Sequence, residues 1–182
     1  MRAFIGIDFA PEVKKEIFDL QQRLRKYALK GRWKDSDNFH LTLKFLDEIN
    51  EAQQAQIDQA MRQVCPAHKP FQLTVSGLGK FDGREAIRVL WLGLSGDLPE
   101  LQSLQREIDQ ALAFLGFPPE RRKYRPHITI GQDLVFACDF AQICETIDAV
   151  QLGITRVDSL YLFKSEQIAH KRIYTKVTEY KL

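Results

Sequence analysis

The sequence has few of the features that mark disulfide-linked, metal-binding or membrane proteins. Its three cysteines form no Cys-x-x-Cys pair and have no histidine at zinc-ligand spacing, which favours reduced thiols over a zinc site. No apolar run is long enough to cross a membrane, and the short run within residues 1–8 is interrupted by an acid, as in a strand rather than a signal peptide. We therefore expect a cytoplasmic protein.

Excess charge of one sign is also scarce, because 26 basic residues balance 24 acidic ones to a formal net charge of +2. The chain is therefore not a general binder of polyanions, and any affinity for phosphate must come from local placement of charge. Basic residues do cluster in two segments, 23–34 and 121–125. Such a cluster is either a solvated surface or part of a binding site.

One short motif occurs twice in the chain. His40-Leu41-Thr42-Leu43 and His127-Ile128-Thr129-Ile130 share one pattern, and their histidines lie 87 residues apart, at positions 40 and 127. Two predicted helix starts, Pro11-Glu12 and Pro99-Glu100, repeat at nearly the same offset. Each basic cluster directly precedes one of the motifs. The chain is therefore interpreted as two copies of one unit, with the basic clusters next to its functional residues.

The pattern of apolar residues predicts an α+β protein of two pseudo-symmetric lobes. With 182 residues, of which 45% are hydrophobic, we expect one domain over residues 1–182, with a cleft between the lobes. Helices are predicted from Pro11 and Pro99 and over residues 51–64 and 138–150. Strands are predicted over residues 2–9, 71–78, 87–94, 154–163 and 172–177, with a turn at 164–167.

If each motif forms a strand, its reactive side chains and its core-packing side chains lie on opposite faces. Alternation places His40 and Thr42 on one face and the two leucines on the other, and His127 and Thr129 stand in the same way over two isoleucines. Two histidines in opposite protonation states can act as general base and general acid on either side of a phosphorus atom. Two threonine hydroxyls can hydrogen-bond its non-bridging oxygens. The duplicated motif therefore predicts a metal-independent phosphoesterase.

A metal site is the main competing interpretation, because histidine is a common ligand. Neither motif carries an Asp, a Glu or a second His on its own face, and threonine is a poor ligand for zinc or similar metals. We therefore expect no metal and no other cofactor. The remaining histidines, His68 and His170, have no such setting and are expected to be ordinary surface or loop residues.

The residues around both motifs resemble those of the 2H phosphoesterase superfamily. Arg32-Trp33 and residues 38–46 are similar to the first motif of its LigT/ThpR-like RNA 2′,3′-cyclic phosphodiesterases, once called 2′-5′ RNA ligases. Residues 124–130 are similar to their second motif, and the likeness covers nearly the whole chain. The resemblance implies a bilobal fold in which two antiparallel sheets face a central cleft, with helices outside. It also implies hydrolysis of an RNA-terminal 2′,3′-cyclic phosphate to a 2′-phosphate.

Carried onto this sequence, the resemblance implies a role for each motif residue. His127 would be the base that activates water and His40 the acid that protonates the leaving 3′-oxygen, although the near symmetry of the site leaves this direction open. Thr42 and Thr129 would hold the phosphate oxygens. The expected partners are RNA ends or nucleotides that carry a 2′,3′-cyclic phosphate, and no membrane. The candidate substrate contacts are Lys44, Phe45, Tyr124, Arg125 and Gln132, with core packing as the alternative for the two aromatic residues.

One position departs from the family's pattern. Many members carry an arginine five residues after the second motif histidine, where it could contact phosphate, and this chain has Gln132 there. Glutamine donates a hydrogen bond but brings no charge, so charge stabilisation would shift to Arg125 or Lys44, or the substrate would differ. Two alternatives therefore stay open. One is a cyclic phosphodiesterase of small nucleotides, and the other is a nucleotide- or RNA-binding module without catalysis.

Overall fold

The computed structural model describes residues 1–147 and 149–182. In this part of the chain the α-helices are α1 (Pro11–Arg25), α2 (Glu51–Val64), α3 (Leu98–Ala113) and α4 (Phe140–Thr146). The strands are β1 (Arg2–Asp8), β2 (Ala28–Trp33), β3 (His40–Glu48), β4 (Phe71–Asp82), β5 (Ile87–Gly96), β6 (Ile128–Phe136), β7 (Gln151–Val157), β8 (Ser159–Ile168) and β9 (Lys171–Lys181). The first sheet has the order β3-β1-β8-β9, and the second has the order β2-β6-β5-β4-β7. All neighbouring strands are antiparallel, which confirms the predicted α+β class.

The first three helices form where the sequence predicts them. Proline occupies the first turn of α1 and of α3, where its missing N–H costs no helical hydrogen bond. The helix α2 has the predicted bounds and begins with a capping box between Asn50 and Gln53. Apolar side chains at helical spacing are buried on the inner faces of α1 and α3, namely Val13, Ile17, Leu20, Leu24, Leu101, Leu104, Ile108 and Leu112.

The two sheets exchange strands between the two halves of the chain. Each motif strand pairs with the strand that begins its half, β3 with β1 and β6 with β5. The next neighbour comes from the other half in both cases, since β8 lies beside β1 and β4 lies beside β5. Each lobe is therefore built from both copies of the repeat. The two halves of the chain cannot separate without breaking the backbone hydrogen bonds of both sheets.

The structure corrects three predictions in the second half. The helix predicted over residues 138–150 is confined to α4, because Asp139 caps it through Gln142 and the backbone at Ile147 is extended; residue 148 lies outside the described part. The strand predicted over 154–163 is two strands, since the chain leaves the second sheet after Val157 and enters the first at Ser159. Residues 164–167 belong to β8 rather than to a turn. The chain reverses at Ala169 and His170, where Ala169 has a φ of 52°.

The edge strand β2 has no apolar pattern that would predict it. Its residues are mostly exposed and include the basic Lys30 and Arg32, and it pairs through its backbone with β6, for example Arg32 with Gln132. The first basic cluster thus becomes the edge of the second sheet, next to the second motif. No helix in the described ranges is both long and apolar enough to cross a membrane.

Candidate active site

The first motif lies on β3, with its polar residues toward the cleft between the sheets. Leu41 and Leu43 are buried in the core, whereas His40 and Thr42 line the cleft. The Nε2 atom of His40 lies 3.0 Å from the hydroxyl oxygen of Thr42. The alternation expected from the sequence is therefore present at the first motif.

The second motif repeats this arrangement on the opposite sheet. His127 immediately precedes β6, and Thr129 lies within it, opposite Trp91 of β5. Ile128 and Ile130 are completely buried, while His127 and Thr129 line the same cleft as the first motif. The two His/Thr pairs therefore lie on different sheets and line one cavity.

A β-bulge follows the first motif and changes which later residue reaches the cleft. Consecutive residues of β1 pair with Thr42 and Lys44, so Leu43 is the extra residue in β3. One extra residue inverts the alternation of a strand, because successive side chains point to opposite faces. Lys44 is therefore buried, and Phe45 is exposed at the cleft, with 60% of its surface accessible.

The second motif carries the same bulge. Consecutive residues of β5 pair with Thr129 and Gly131, so Ile130 is extra, and Gln132 faces the cleft. Phe45 and Gln132 are 87 residues apart, at positions 45 and 132, and thus occupy equivalent places in the two copies. The site is symmetric in backbone but not in chemistry, with an aromatic ring on one side and an amide on the other.

The Lys44 ammonium, a predicted phosphate contact, is bound by other groups of the chain. The Lys44 side chain is 2% exposed, and its ammonium forms an ion pair with Asp109 of α3. It also donates a hydrogen bond of 2.5 Å to the Pro118 carbonyl oxygen. The bulge directs the Lys44 ammonium toward α3, and its contacts link β3 to α3 and to the segment that follows α3.

Both histidines are held in the same tautomer by the same backbone contact. His40 Nδ1 lies 2.7 Å from the carbonyl oxygen of Asn38, and His127 Nδ1 lies 2.7 Å from that of Arg125. A carbonyl oxygen only accepts hydrogen bonds, so Nδ1 carries the proton in each ring. In the neutral ring Nε2 is then the proton acceptor, and the Thr42 hydroxyl donates to it in His40. Each histidine thus presents Nε2, its basic nitrogen, on the side of the ring away from the carbonyl oxygen that binds Nδ1.

The two imidazoles differ in their surroundings. The His40 ring lies 4.6 Å from Phe4 and 4.9 Å from Tyr174, measured between ring centroids. Burial in this aromatic setting lowers the pKa of His40 to about 4, and His40 is therefore neutral at physiological pH. The His127 ring lies 5.3 Å from Phe81, edge to face. The near symmetry of the motifs is therefore broken by burial of the first histidine.

Tyr124 connects the segment before the second motif to the first motif. Its hydroxyl donates a 3.0 Å hydrogen bond to the carbonyl oxygen of Thr42, and burial raises the pKa of Tyr124 above its ordinary value. Arg125 contributes its carbonyl to His127 and leaves its side chain exposed at the cleft. Tyr124 therefore positions Thr42 in addition to lining the cleft.

The cleft is a cavity of about 880 Å³ with a basic lining. Glu120 is the one carboxylate among the described residues that line it. Besides the ion-paired Lys44, its basic lining residues are Arg2, Lys34, Arg88, Arg122, Lys123, Arg125 and Arg172. Such a lining attracts an anionic ligand although the whole chain is nearly neutral.

Sequence reasoning missed several residues of the site. Asn38 supplies the carbonyl that fixes His40, and Phe4 and Tyr174 enclose the His40 ring. Arg172 had no signal, because it lies near the far end of the chain and comes to the cleft only through the pairing of β8 with β9. Over residues 1–147 and 149–182, no three His, Cys, Asp or Glu side chains come together as a candidate metal site.

Two equivalent histidines, each followed by a threonine on the same face of a basic cleft, can supply a base and an acid to one anionic substrate. Comparison with known proteins agrees with this class of site. The sequence model of the 2′-5′ RNA ligase superfamily matches residues 9–168. The chain belongs to the 2′-5′ RNA ligase superfamily.

Relatives with an assigned activity cover the whole chain. The RNA 2′,3′-cyclic phosphodiesterase of Methanothermobacter thermautotrophicus is 30% identical, over 100% of this chain and 99% of the relative. The enzyme of the same name from Thermotoga maritima is 32% identical, over 98% of this chain and 94% of its own. The crystal structure of Escherichia coli LigT complexed with 3′-AMP is 25% identical, with a TM-score of 0.81 over 100% of this chain and 97% of that one.

Proposed function

We propose that the protein is an RNA 2′,3′-cyclic phosphodiesterase that opens a terminal cyclic phosphate to a 2′-phosphate. The observation that carries the proposal is the pair of histidines, each fixed by its Nδ1 and each beside a threonine, in one basic cleft. Relatives of that name, similar over their full length, support it. Both lobes act as one domain, because each contributes one His/Thr pair.

His127 accepts a proton from water as the water oxygen attacks phosphorus. His40 gives a proton to the 3′-oxygen as its bond to phosphorus breaks, and the product is a 2′-phosphate and a 3′-hydroxyl. Thr42 and Thr129 donate hydrogen bonds to the non-bridging oxygens, where negative charge builds in the transition state. His127 suits the base role because its Nδ1 contact is exposed, whereas that of His40 is partly buried.

This assignment of roles requires His40 to gain a proton when substrate binds. Its pKa is about 4 in the free protein, so at pH 6 it is neutral and cannot act as an acid. An anionic phosphate in the cleft offsets the cost of burying a charged imidazole and raises this pKa. Nδ1 keeps its proton and its hydrogen bond to the Asn38 carbonyl oxygen, and Nε2 receives the new proton and donates it to the substrate.

We therefore expect net proton uptake when an anionic ligand binds near pH 6. Calorimetric titration with adenosine 2′-phosphate in buffers of different ionisation enthalpy measures the number of protons taken up. The His40→Ala protein is the control, and its binding should be linked to fewer protons than that of the unchanged protein. If the two proteins take up the same number of protons, His40 stays neutral in the complex, and it then acts as the base with His127 as the acid.

The substrate class is tested by comparing an oligoribonucleotide that ends in a 2′,3′-cyclic phosphate with 2′,3′-cyclic AMP. The exposed basic residues 121–123 and Arg125 precede the second motif, and they favour RNA because they can follow a phosphate backbone. We expect a higher kcat/KM for the oligonucleotide, and a loss of this preference at high salt. Equal values for both substrates would indicate a small-nucleotide enzyme instead.

A binding module without catalysis is the second candidate. The replacement of the family's arginine by Gln132 favours it, and the intact His/Thr pairs oppose it. Tight binding of cyclic phosphates without hydrolysis of any of them would support the module and reject the enzyme. We place the protein in the cytoplasm, as the sequence predicts, because RNA ends with cyclic phosphates arise where RNA is cleaved and processed.

A further inference from the structure

Two half-buried cations line the cleft near the first motif. Lys34 follows β2, and Arg172 lies on β9, and both line the cleft with His40 and Thr42. Burial lowers the pKa of the Lys34 ammonium, and the charges of Arg32 and Arg172 lower it further. Two like charges held close together in a partly desolvated place are unfavourable unless an anion joins them.

Within the described residues, no carboxylate lies within ion-pairing distance of Lys34 or Arg172. The other partly buried cations on this side of the molecule are neutralised. Lys44 pairs with Asp109, and Lys14 pairs with Asp8 at 2.6 Å. The polar contact of the Arg172 guanidinium is a 3.4 Å hydrogen bond to the hydroxyl of Ser165, which is neutral. The positive charges of Lys34 and Arg172 are therefore not neutralised within the described residues, and an anion from outside the chain can bind them.

The backbone around these two residues is fixed to both motifs. The Lys34 N–H donates to the Ile130 carbonyl at 3.1 Å. The completely buried Gln21 side chain donates to the carbonyls of both Lys34 and Ile130, at 2.8 Å and 2.9 Å. Lys34 is thus anchored to the strand that carries Thr129, so its position relative to the second motif is set by the fold.

Arg172 is anchored to the first motif in a similar way. The Asn38 side chain donates a 2.7 Å hydrogen bond to the Arg172 carbonyl, and the Asn38 carbonyl accepts the Nδ1 proton of His40. Lys34 is therefore tied to one motif and Arg172 to the other. A ligand that contacts both cations lies in the cleft that both motifs line.

We propose that Lys34 and Arg172 together bind the phosphate of the substrate and supply the positive charge that Gln132 does not. This rests on the proposed function, since it assigns the charged contacts of the same cleft. Lys34 and Arg172 neutralise the non-bridging oxygens, Gln132 adds a neutral hydrogen bond, and the two threonines complete the set. The positive charge thus comes from Lys34, which follows the edge strand β2, and from Arg172 in the β8–β9 hairpin. It does not come from β6, the strand of the second motif.

The test is the affinity of the full chain for adenosine 2′-phosphate, measured by calorimetry at low salt. Lys34→Met and Arg172→Met keep the length of the side chain and remove its charge. Each is expected to weaken binding about 10- to 100-fold, the usual effect of losing a charged hydrogen bond. Lys34→Arg should restore most of the affinity. The matched controls Lys30→Met and Lys171→Met remove exposed cations outside the cleft lining, and their affinity should change less than about twofold.

A second readout separates direct charge from altered structure. The Lys34 charge contributes to the low pKa of His40, behind the larger effect of burial. Other ionisable groups around the ring are Lys14, which lowers this pKa, Asp8, which raises it, and Tyr174 at its edge. An NMR titration of the His40 ring protons should therefore give a higher pKa in Lys34→Met than in the unchanged chain, and the same value in Lys34→Arg.

Unchanged affinity in both methionine variants would overturn the proposal, as would failure of the unchanged chain to bind adenosine 2′-phosphate or inorganic phosphate. The outcome is distinct from that of the proposed function. Binding that depends on Lys34 and Arg172, together with no turnover of any cyclic phosphate, would reject the enzyme and keep the anion site. If both methionine variants retain full turnover, the enzyme is kept and the anion site is rejected.

Discussion

Replacing His127 by alanine should lower kcat for opening of a terminal 2′,3′-cyclic phosphate about 10²- to 10⁴-fold, and replacing His40 should do the same. Each side chain has one task in the same step, so the loss of either leaves a proton transfer without its partner. The double variant should be little slower than the slower single variant, because groups that act as a unit are not additive. Initial rates on a cyclic-phosphate oligonucleotide at saturating concentration measure all three variants.

The other two histidines provide matched controls for this experiment. His170 lies in the exposed turn between β8 and β9, and His68 lies outside the cleft, 3.1 Å from Glu107. Alanine at either position should leave kcat within about twofold of the unchanged value. Full turnover by the His127→Ala protein, folded as shown by its circular dichroism, would rule out the two-histidine mechanism.

Removal of the Asp109 carboxylate should destabilise the fold far more than the loss of an exposed ion pair does. The Lys44 ammonium is buried with Asp109 as its ion partner, so Asp109→Ala leaves a buried charge that only the Pro118 carbonyl contacts. Breaking a buried pair on one side typically costs about 3–5 kcal/mol. Urea unfolding of the variant should show a decrease of this size in the free energy of unfolding.

Two further variants show that the effect comes from the buried charge. Asp19→Ala breaks the exposed pair with Lys15 on α1 and should cost less than about 1 kcal/mol. The double variant Lys44→Met/Asp109→Leu removes both charges and should recover most of the stability that Asp109→Ala loses. If Asp109→Ala is as stable as Asp19→Ala, the Lys44 ammonium reaches water and is not buried as the bulge requires.

The position of Lys44 shows where strand alternation stops being predictive. From the sequence, a strand that places His40 and Thr42 on one face also places Lys44 there. In the structure, Leu43 is an extra residue in β3 with no partner in β1, so Lys44 turns inward and Phe45 turns toward the cleft. A bulge depends on how two strands meet, and nothing in the sequence of β3 alone reveals it.

The sequence predicts the features that depend on local periodicity. The apolar spacing of α1 and α3, the proline in their first turns and the bounds of α2 all follow from residues close in the chain. It does not predict β2, whose mostly exposed residues lie at the edge of the second sheet through pairing with β6. It also does not separate β7 from β8, because the apolar pattern continues while the chain passes from one sheet to the other.

The residues of the site are likewise only partly predictable from the sequence. The duplicated motif identifies both His/Thr pairs, because two histidines with the same neighbours at the repeat offset are visible in the sequence. The residues that set the state of the first histidine are not visible, since Phe4 and Tyr174 come from strands far away in the chain. Lys34 is part of a basic cluster in the sequence, and only the fold shows that it lies next to Arg172 in the cleft.

Product analysis on an oligoribonucleotide that ends in a 2′,3′-cyclic phosphate tests the central claim most directly. The reaction is run with the unchanged protein in the presence of EDTA, and the products are separated by chromatography and identified by ³¹P NMR. We predict conversion to a terminal 2′-phosphate at a rate that EDTA does not change. A terminal 3′-phosphate would contradict the proposed leaving 3′-oxygen, and dependence on added metal or no product at all would contradict the metal-independent two-histidine mechanism.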